Sequence, residues 1–196
     1  MKLPWDLPNA ICGDFDSILP DAVDYYSRRG VQLIKDIDQY SADFMKCLKH
    51  IGTQVEPILG DRSKLTQAAA LDVVVVGGLG GRADQAFSQI HHLYLASEDI
   101  SLDLGDIYLV TPRSIIFVLQ KGMNSIRTPV GSGFLTENVG IIPIGRPSVI
   151  STKGLEWDVE DWSTEFGTQI STSNHIRANV VRVKTTERVL FTVELA

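Results

Sequence analysis

The sequence predicts an α/β protein: an open, mostly parallel sheet domain over residues 1–119, then an antiparallel β-sandwich over residues 120–196. Three observations lead there. The first half alternates short apolar runs with segments at helical spacing, the rhythm of βαβ units. Val73 to Val76 are four consecutive valines, the kind of run expected of a parallel strand buried on both faces. After Gly122 helical periodicity stops, and short strand-like pieces follow, punctuated by glycine, proline and polar residues.

The elements follow in order. Ala10-Ile11-Cys12 reads as a strand end running into Gly13. Pro20 suits a first helical turn and Gly30 the cap beyond it. Val31 to Ile34 is a short strand. Ser41 is the expected N-cap of a second helix, with Asp43 well placed near its N-terminus. Phe44, Cys47, Leu48 and Ile51 recur at helical spacing, and Gly52 ends the run. Leu71 to Val76 is a strand, and Ala86, Phe87, Ile90, Leu93 and Tyr94 mark the buried face of the helix after it. Ile107 to Val110 and Ile115 to Leu119 are further strands. The sandwich strands are Gly140 to Ile144, Ser148 to Thr152, Thr168 to Thr172, Val180 to Lys184 and Val189 to Glu194.

Bulk properties narrow the function classes. The chain has 196 residues, 44% hydrophobic and 21% charged, enough apolar material for a core. A net charge of −6 argues against a nucleic-acid partner, which would favour a basic patch. Cys12 and Cys47 form neither a disulfide framework nor a metal knuckle, so they read as buried thiols in a reducing compartment. No apolar stretch reaches membrane-spanning length and no secretory leader is visible, so the expectation is a cytoplasmic protein without a membrane partner.

Two segments carry the chemistry. Gly13-Asp14-Phe15-Asp16-Ser17 sets two carboxylates two residues apart where a strand gives way to a loop. On extended backbone they face the same way and can share a cation, while a plain solvated turn is the alternative. Gly77 to Gln85 follows the valine run and ends in Arg82, Asp84 and Gln85. The backbone amides around Gly80 and Gly81, a helix N-terminus and the Arg82 fork suit phosphate. The stretch Gly78 to Ala83 also fits the dinucleotide fingerprint of an NAD-dependent oxidoreductase, with Glu98 near the expected ribose-binding position. No Walker A pattern occurs. Asp43 and Lys46 lie three apart, as an intrahelical ion pair or as a metal ligand beside a phosphate-binding lysine. Trp157 offers an indole face for an aromatic or cationic ligand, or else a core residue. Ser171-Thr172-Ser173-Asn174 supplies hydroxyls and an amide at a strand end.

The order of these motifs resembles that of the eukaryotic thiamine pyrophosphokinases. The matching pieces are Gly13 to Ser17, Asp38-Gln39 with Asp43-Phe44 and Lys46, Gly77 to Gln85, Ser151 to Trp157, and Phe166-Gly167-Thr168 leading into Ser171 to Asn174. The resemblance implies an α/β catalytic domain and a thiamine-binding β-sandwich. It implies transfer of pyrophosphate from ATP to the hydroxyl of thiamine, giving thiamine diphosphate and AMP, with Mg²⁺ required. Asp14, Asp16, Asp43 and Asp84 would form the acidic, metal-holding set, with Asp43 accepting the hydroxyl proton. Gln39, Lys46, Arg82 and Gln85 would orient ATP, together with the amides of Gly80 and Gly81. Trp157 would stack on thiamine while Thr172, Ser173 and Asn174 line its site and Ser173 and Asn174 hydrogen-bond its aminopyrimidine. A homodimer is implied. Two departures stand out: Ala42 replaces a usual threonine, and Met1 to Asn9 lacks the family's upstream Ala-Asp-Gly-Gly-Ala-Asn segment. An N-terminally shortened chain is therefore expected. The alternatives are a catalytically impaired relative that binds thiamine or a partner subunit, and the NAD-dependent oxidoreductase.

Overall fold

The computed structural model describes residues 7–55, 58, 60 and 70–196. The chain forms two compact units, one from residues up to Ala69 with Asp99–Asp103, the other from Ala70–Glu98 with Leu104–Ala196.

In the first unit β1 (Ala10–Gly13) and β2 (Gln32–Lys35) pair in parallel, joined through α1 (Pro20–Ser27). Pro20 opens that helix, where its missing N–H costs nothing. Gly30 then takes φ +78° to turn the chain toward β2. The second helix, α2 (Asp43–Thr53), is capped by Ala42 and not by Ser41, and no side chain caps its first amides. Its buried residues are Met45, Lys46 and Leu48, so the apolar stripe expected from Phe44, Cys47 and Ile51 is only half-buried. The helix also runs one residue past Gly52. A Cβ at Gly52 would lie 2.5 Å from the Leu102 carbonyl oxygen, so the glycine permits close packing on the Ile100–Leu102 turn.

The second unit begins with β3 (Leu71–Val76), α3 (Ala83–Ala96) and β4 (Leu104–Val110), the other βαβ element, with β3 and β4 parallel. The strands β5 (Ser114–Leu119), β6 (Gly122–Arg127), β7 (Leu135–Ile142), β8 (Ser148–Lys153), β9 (Trp162–Thr164), β10 (Ser171–His175), β11 (Val180–Thr185) and β12 (Val189–Leu195) follow. They build a six-stranded sheet, β10-β7-β12-β5-β4-β3, and a four-stranded sheet, β6-β11-β8-β9. Parallel pairing ends at β4, because β5 returns antiparallel to it and then pairs with β12. The six-stranded sheet therefore carries strands from both sides of residue 120, and the compact units divide earlier, between Ala69 and Ala70. The two sheets face each other across Ile141, Ile150, Val181, Val183, Val189 and Phe191, a continuous hydrophobic core. In β7, β11 and β12 the contributing residues alternate along the strand: Val139 and Ile141, Val181 and Val183, and Val189, Phe191 and Val193.

The valine run is not buried on both faces. Val73 is 8% exposed, but Val74 and Val76 are 61% and 79% exposed. Among the described residues β3 is the last strand of its sheet, and its period-two alternation puts the two outer valines on an open face. Phe87 departs in the same way, being exposed on α3 while Leu93 carries the buried contact.

Gly78 is packed tightly enough to test. A Cβ there would lie 2.4 Å from Leu109 Cδ1, and Leu109 is fully buried. Gly78→Ala should therefore destabilise the protein by about 1–3 kcal/mol through overpacking. The midpoint of urea unfolding measures this, and an unshifted midpoint would mean the strand end yields freely.

Candidate active site

The acidic loop after β1 is shaped by its own carboxylate. Asp14 Oδ1 accepts the Asp16 N–H at 3.0 Å, and Phe15 between them holds φ +69°. That turn leaves the Asp16 side chain exposed and without a hydrogen bond among the described residues. Asp43 is brought close to the end of β1: a Cβ on Gly13 would come within 3.1–3.2 Å of its carboxylate atoms, a tight approach that glycine eases. Asp43 thus lies beside Gly13, the residue that Asp14 and Asp16 follow in the chain.

Lys46 anchors Asp43. Its side chain is 1% exposed, and Nζ lies 3.3 Å from Asp43 Oδ1 and donates to the Asp36 carbonyl at 3.0 Å. The intrahelical ion pair is therefore formed, and the ammonium is spent on the protein's own oxygens. Successive side-chain turns, Asp36 Oδ1 accepting from Asp38 N–H and Asp38 Oδ1 from Tyr40 N–H, hold the segment around Gln39, which stays exposed. Cys12 and Cys47 are half-buried free thiols, less buried than expected. Cys47 Sγ contacts the Cys12 carbonyl at 3.7 Å, and desolvation pushes the Cys47 thiol up to about 11.

In the second unit the glycine segment enters α3 as the sequence implies. Gly77 and Gly81 take φ +89° and +75°, and Leu79 follows at +56°. The loop is tied down by Leu79 N–H donating to Gln89 Oε1 at 2.7 Å. Arg82 caps the helix, and its guanidinium forks onto Asp84, Nε at 3.1 Å and Nη2 at 2.5 Å. That fork holds the Asp84 carboxyl below the usual carboxylate range. Gly80, Gly81 and Gln85 are exposed beside it. Glu98, the ribose-binding candidate of the dinucleotide reading, lies beyond the far end of α3 and pairs with Arg188 at 2.7 Å. It does not end a second strand, which removes the geometry that reading needs.

The sandwich carries a separate cavity of about 270 Å³. Trp157, Thr172 and Asn174 line it, as do Trp162, Ile170 and Thr152, whereas Ser173 does not. Ser173 is the left-handed residue (φ +57°) of a bulge between Ser171 and Asn174 in the β10–β7 pairing. Such a bulge re-aims the side chains that follow. Asn174 is 6% exposed and its amide faces the Trp157 backbone: Oδ1 accepts from Trp157 N–H at 3.2 Å, and Nδ2 donates to Trp157 O at 2.9 Å. The approach to Trp157 is built from Gly154 (φ +104°), where a Cβ would meet the Val180 carbonyl oxygen at 2.9 Å. Asp158 closes the turn, accepting from Thr152 Oγ1 and from the amides of Gly154 and Leu155. The indole itself is 55% exposed, so it is not a core position.

Trp162 was not singled out by sequence. It sits in the three-residue strand β9, too short for an alternation signal, and only its adjacency to Trp157 across the fold marks it. Among the described residues no three His, Cys, Asp or Glu side chains gather closely enough to hold a metal alone.

An α/β portion with an acidic loop and a glycine-rich helix entry, followed by a β-sandwich with a tryptophan-lined cavity, defines the architectural class. The chain belongs to the thiamin pyrophosphokinase family: the catalytic-domain model of that family matches residues 6–104 and the vitamin B1 binding domain model residues 124–190. It is 28% identical to the thiamine pyrophosphokinase of Saccharomyces cerevisiae, over 96% of this chain and 69% of that protein. It is 32% identical to thiamine pyrophosphokinase 1 of Oryza sativa, over 96% of this chain and 66% of that protein. The thiamin pyrophosphokinase structure from Candida albicans superposes with a TM-score of 0.84 at 26% identity, covering 97% of this chain and 74% of that one. The chain thus spans about two thirds of the length of the curated relatives it matches.

Proposed function

We propose that this protein transfers the pyrophosphoryl group of ATP to the hydroxyl of thiamine, giving thiamine diphosphate and AMP. The observation that carries the reading is the presence, in order on one chain, of both family regions, the second holding an exposed tryptophan over a cavity of fitting size. The hydroxyl oxygen forms a bond to the β-phosphorus, the bond from that phosphorus to the α-phosphate oxygen breaks, and AMP leaves. Such transfers depend on positioning and charge neutralisation more than on covalent help from the protein.

Asp14, Asp16 and Asp43 are the carboxylates we assign to Mg²⁺, with Asp84 in the acidic set. Their hard oxygens suit the ion, which is ordinarily held by one or two carboxylates plus substrate phosphates and water. When bound, the ion supplies charge neutralisation on the polyphosphate. Asp43 accepts the hydroxyl proton in this reading. Arg82, released from Asp84, gives a fork for phosphate oxygens, alongside the amides of Gly80 and Gly81 and the side chains of Gln39 and Gln85. Lys46 acts indirectly, by fixing Asp43. Residues 120–196 form the thiamine-binding part: Trp157 stacks on the cationic ligand, while Thr172 offers a hydroxyl. Asn174 acts through the Trp157 backbone, which its amide holds at both the N–H and the carbonyl. We further assign a cytoplasmic homodimer without nucleic-acid or membrane partners. The acidic net charge supports the former exclusion, and among the described residues no helix is long and apolar enough to cross a membrane.

AMP release from ATP should require both thiamine and Mg²⁺. Release that ignores thiamine would overturn the reading, whereas thiamine binding without AMP release would indicate the impaired relative. Trp157→Ala should weaken thiamine binding about ten- to thirtyfold, the worth of a partly desolvated cation–π contact of about 1.4–2 kcal/mol. Isothermal titration reads it, and an unchanged affinity would remove Trp157 from the site.

A further inference from the structure

The Trp157 indole is more than half exposed, yet one of its flanks is occupied by a ring that no motif predicted. His175 lies with its centroid 4.9 Å from that of Trp157, the planes inclined at 45°. The imidazole is itself held at both edges. Nδ1 is 2.8 Å from Glu156 Oε2 and Nε2 is 3.8 Å from Glu137 Oε1. Arg177 ties the two carboxylates together, Nη1 donating to Glu137 Oε2 at 2.5 Å and Nη2 to Glu156. The backbone repeats the link, since Glu156 N–H donates to the His175 carbonyl at 2.8 Å. Nδ1 also lies 3.2 Å from Arg177 Nη2, so the ring sits against both the carboxylate and the guanidinium, and these contacts fix its orientation. These groups come from β7, β10 and the turn before β9, so the clamp joins three separate stretches of chain.

The geometry points to His175 as a positioning residue for Trp157: the clamped imidazole holds the indole at the orientation in which it receives thiamine. This rests on the thiamine reading given above. An exposed indole free to change rotamer would lose that freedom each time ligand bound. A side chain already held by a fixed neighbour has less to lose, and affinity gains accordingly. Asn174 fixes the Trp157 backbone and His175 fixes its ring, so the adjacent residues of β10 divide the task.

The expected result is specific. His175→Ala should raise the thiamine dissociation constant about three- to tenfold, the cost of immobilising one free side chain on binding. The kcat for AMP release should stay the same. His175→Phe, which keeps a ring against the indole, should recover most of the affinity. In a Trp157→Ala background, His175→Ala should change nothing further. In ligand-free protein, acrylamide quenching of the Trp157 emission, taken as the difference from Trp157→Phe, should increase in His175→Ala. Unchanged affinity in His175→Ala, an additive effect in the double variant, or no recovery by phenylalanine would each overturn the proposal. Wild-type protein that ignores thiamine would sink the thiamine reading instead, and the quenching comparison would then still test the clamp.

Discussion

Asp16→Asn should lower AMP release about a hundredfold while leaving the unfolding transition in place. The two halves of that statement have different sources. Stability is spared because the loop does not depend on the Asp16 carboxylate: the bond that shapes the turn runs from Asp16 N–H to Asp14 Oδ1, and asparagine keeps the donor. The side chain is exposed and makes no hydrogen bond among the described residues, so an isosteric amide disturbs no packing. Turnover falls because an anionic oxygen becomes a neutral one beside a polyphosphate and its dication. A loss of about 3 kcal/mol of charge stabilisation in the transition state corresponds to roughly a hundredfold in rate. Single-turnover AMP release at saturating ATP and thiamine measures this, and repeating it across a Mg²⁺ titration separates weakened ion binding from slower chemistry. A rate within threefold of wild type would exclude Asp16 from the site.

How much of this was legible in the sequence depends on the range of the interaction involved. The strand Leu71–Val76 was read with its exact limits, because six apolar-rich residues between turn signals are a local pattern. What covers a strand is not local, so Val74 and Val76 were assigned to an interior they do not occupy. The strands β6 and β9 went unread because Gly122-Met123-Asn124-Ser125-Ile126-Arg127 and Trp162-Ser163-Thr164 carry too little apolar alternation. They become strands by pairing with β11 and β8. The sequence places the last-but-two strand at Thr168 to Thr172, but it runs Ser171–His175, because Thr168 and Gln169 close a turn onto Glu165 instead. Site residues divide the same way. Asp14, Asp43, Arg82 and Trp157 stand out by residue type and motif. That Lys46 is buried on the Asp36 carbonyl, or that Asn174 serves the Trp157 backbone, depends on contacts between segments distant in the chain.

Asn174→Ala should produce the largest combined effect, on stability and on binding together. The amide is buried and its oxygen accepts two backbone N–H groups, those of Trp157 at 3.2 Å and His175 at 2.8 Å, while its nitrogen serves the Trp157 carbonyl. Alanine strands those donors and cannot admit enough water to replace the lost oxygen. The expected cost is about 2–4 kcal/mol, from three backbone groups, two N–H and one carbonyl, losing their partners. Urea unfolding monitored by circular dichroism measures it. Thiamine affinity, measured where the variant is fully folded, should fall about tenfold, because an indole whose backbone is unmoored no longer presents a fixed face. The Trp157→Ala background divides these two consequences. The stability loss should persist there, since Asn174 bonds the backbone at 157 and that backbone remains. The affinity loss should vanish, since the indole is already gone. An affinity loss that survives in that background would mean that Asn174 meets thiamine directly, through its remaining amide hydrogen, and does not act through Trp157 alone.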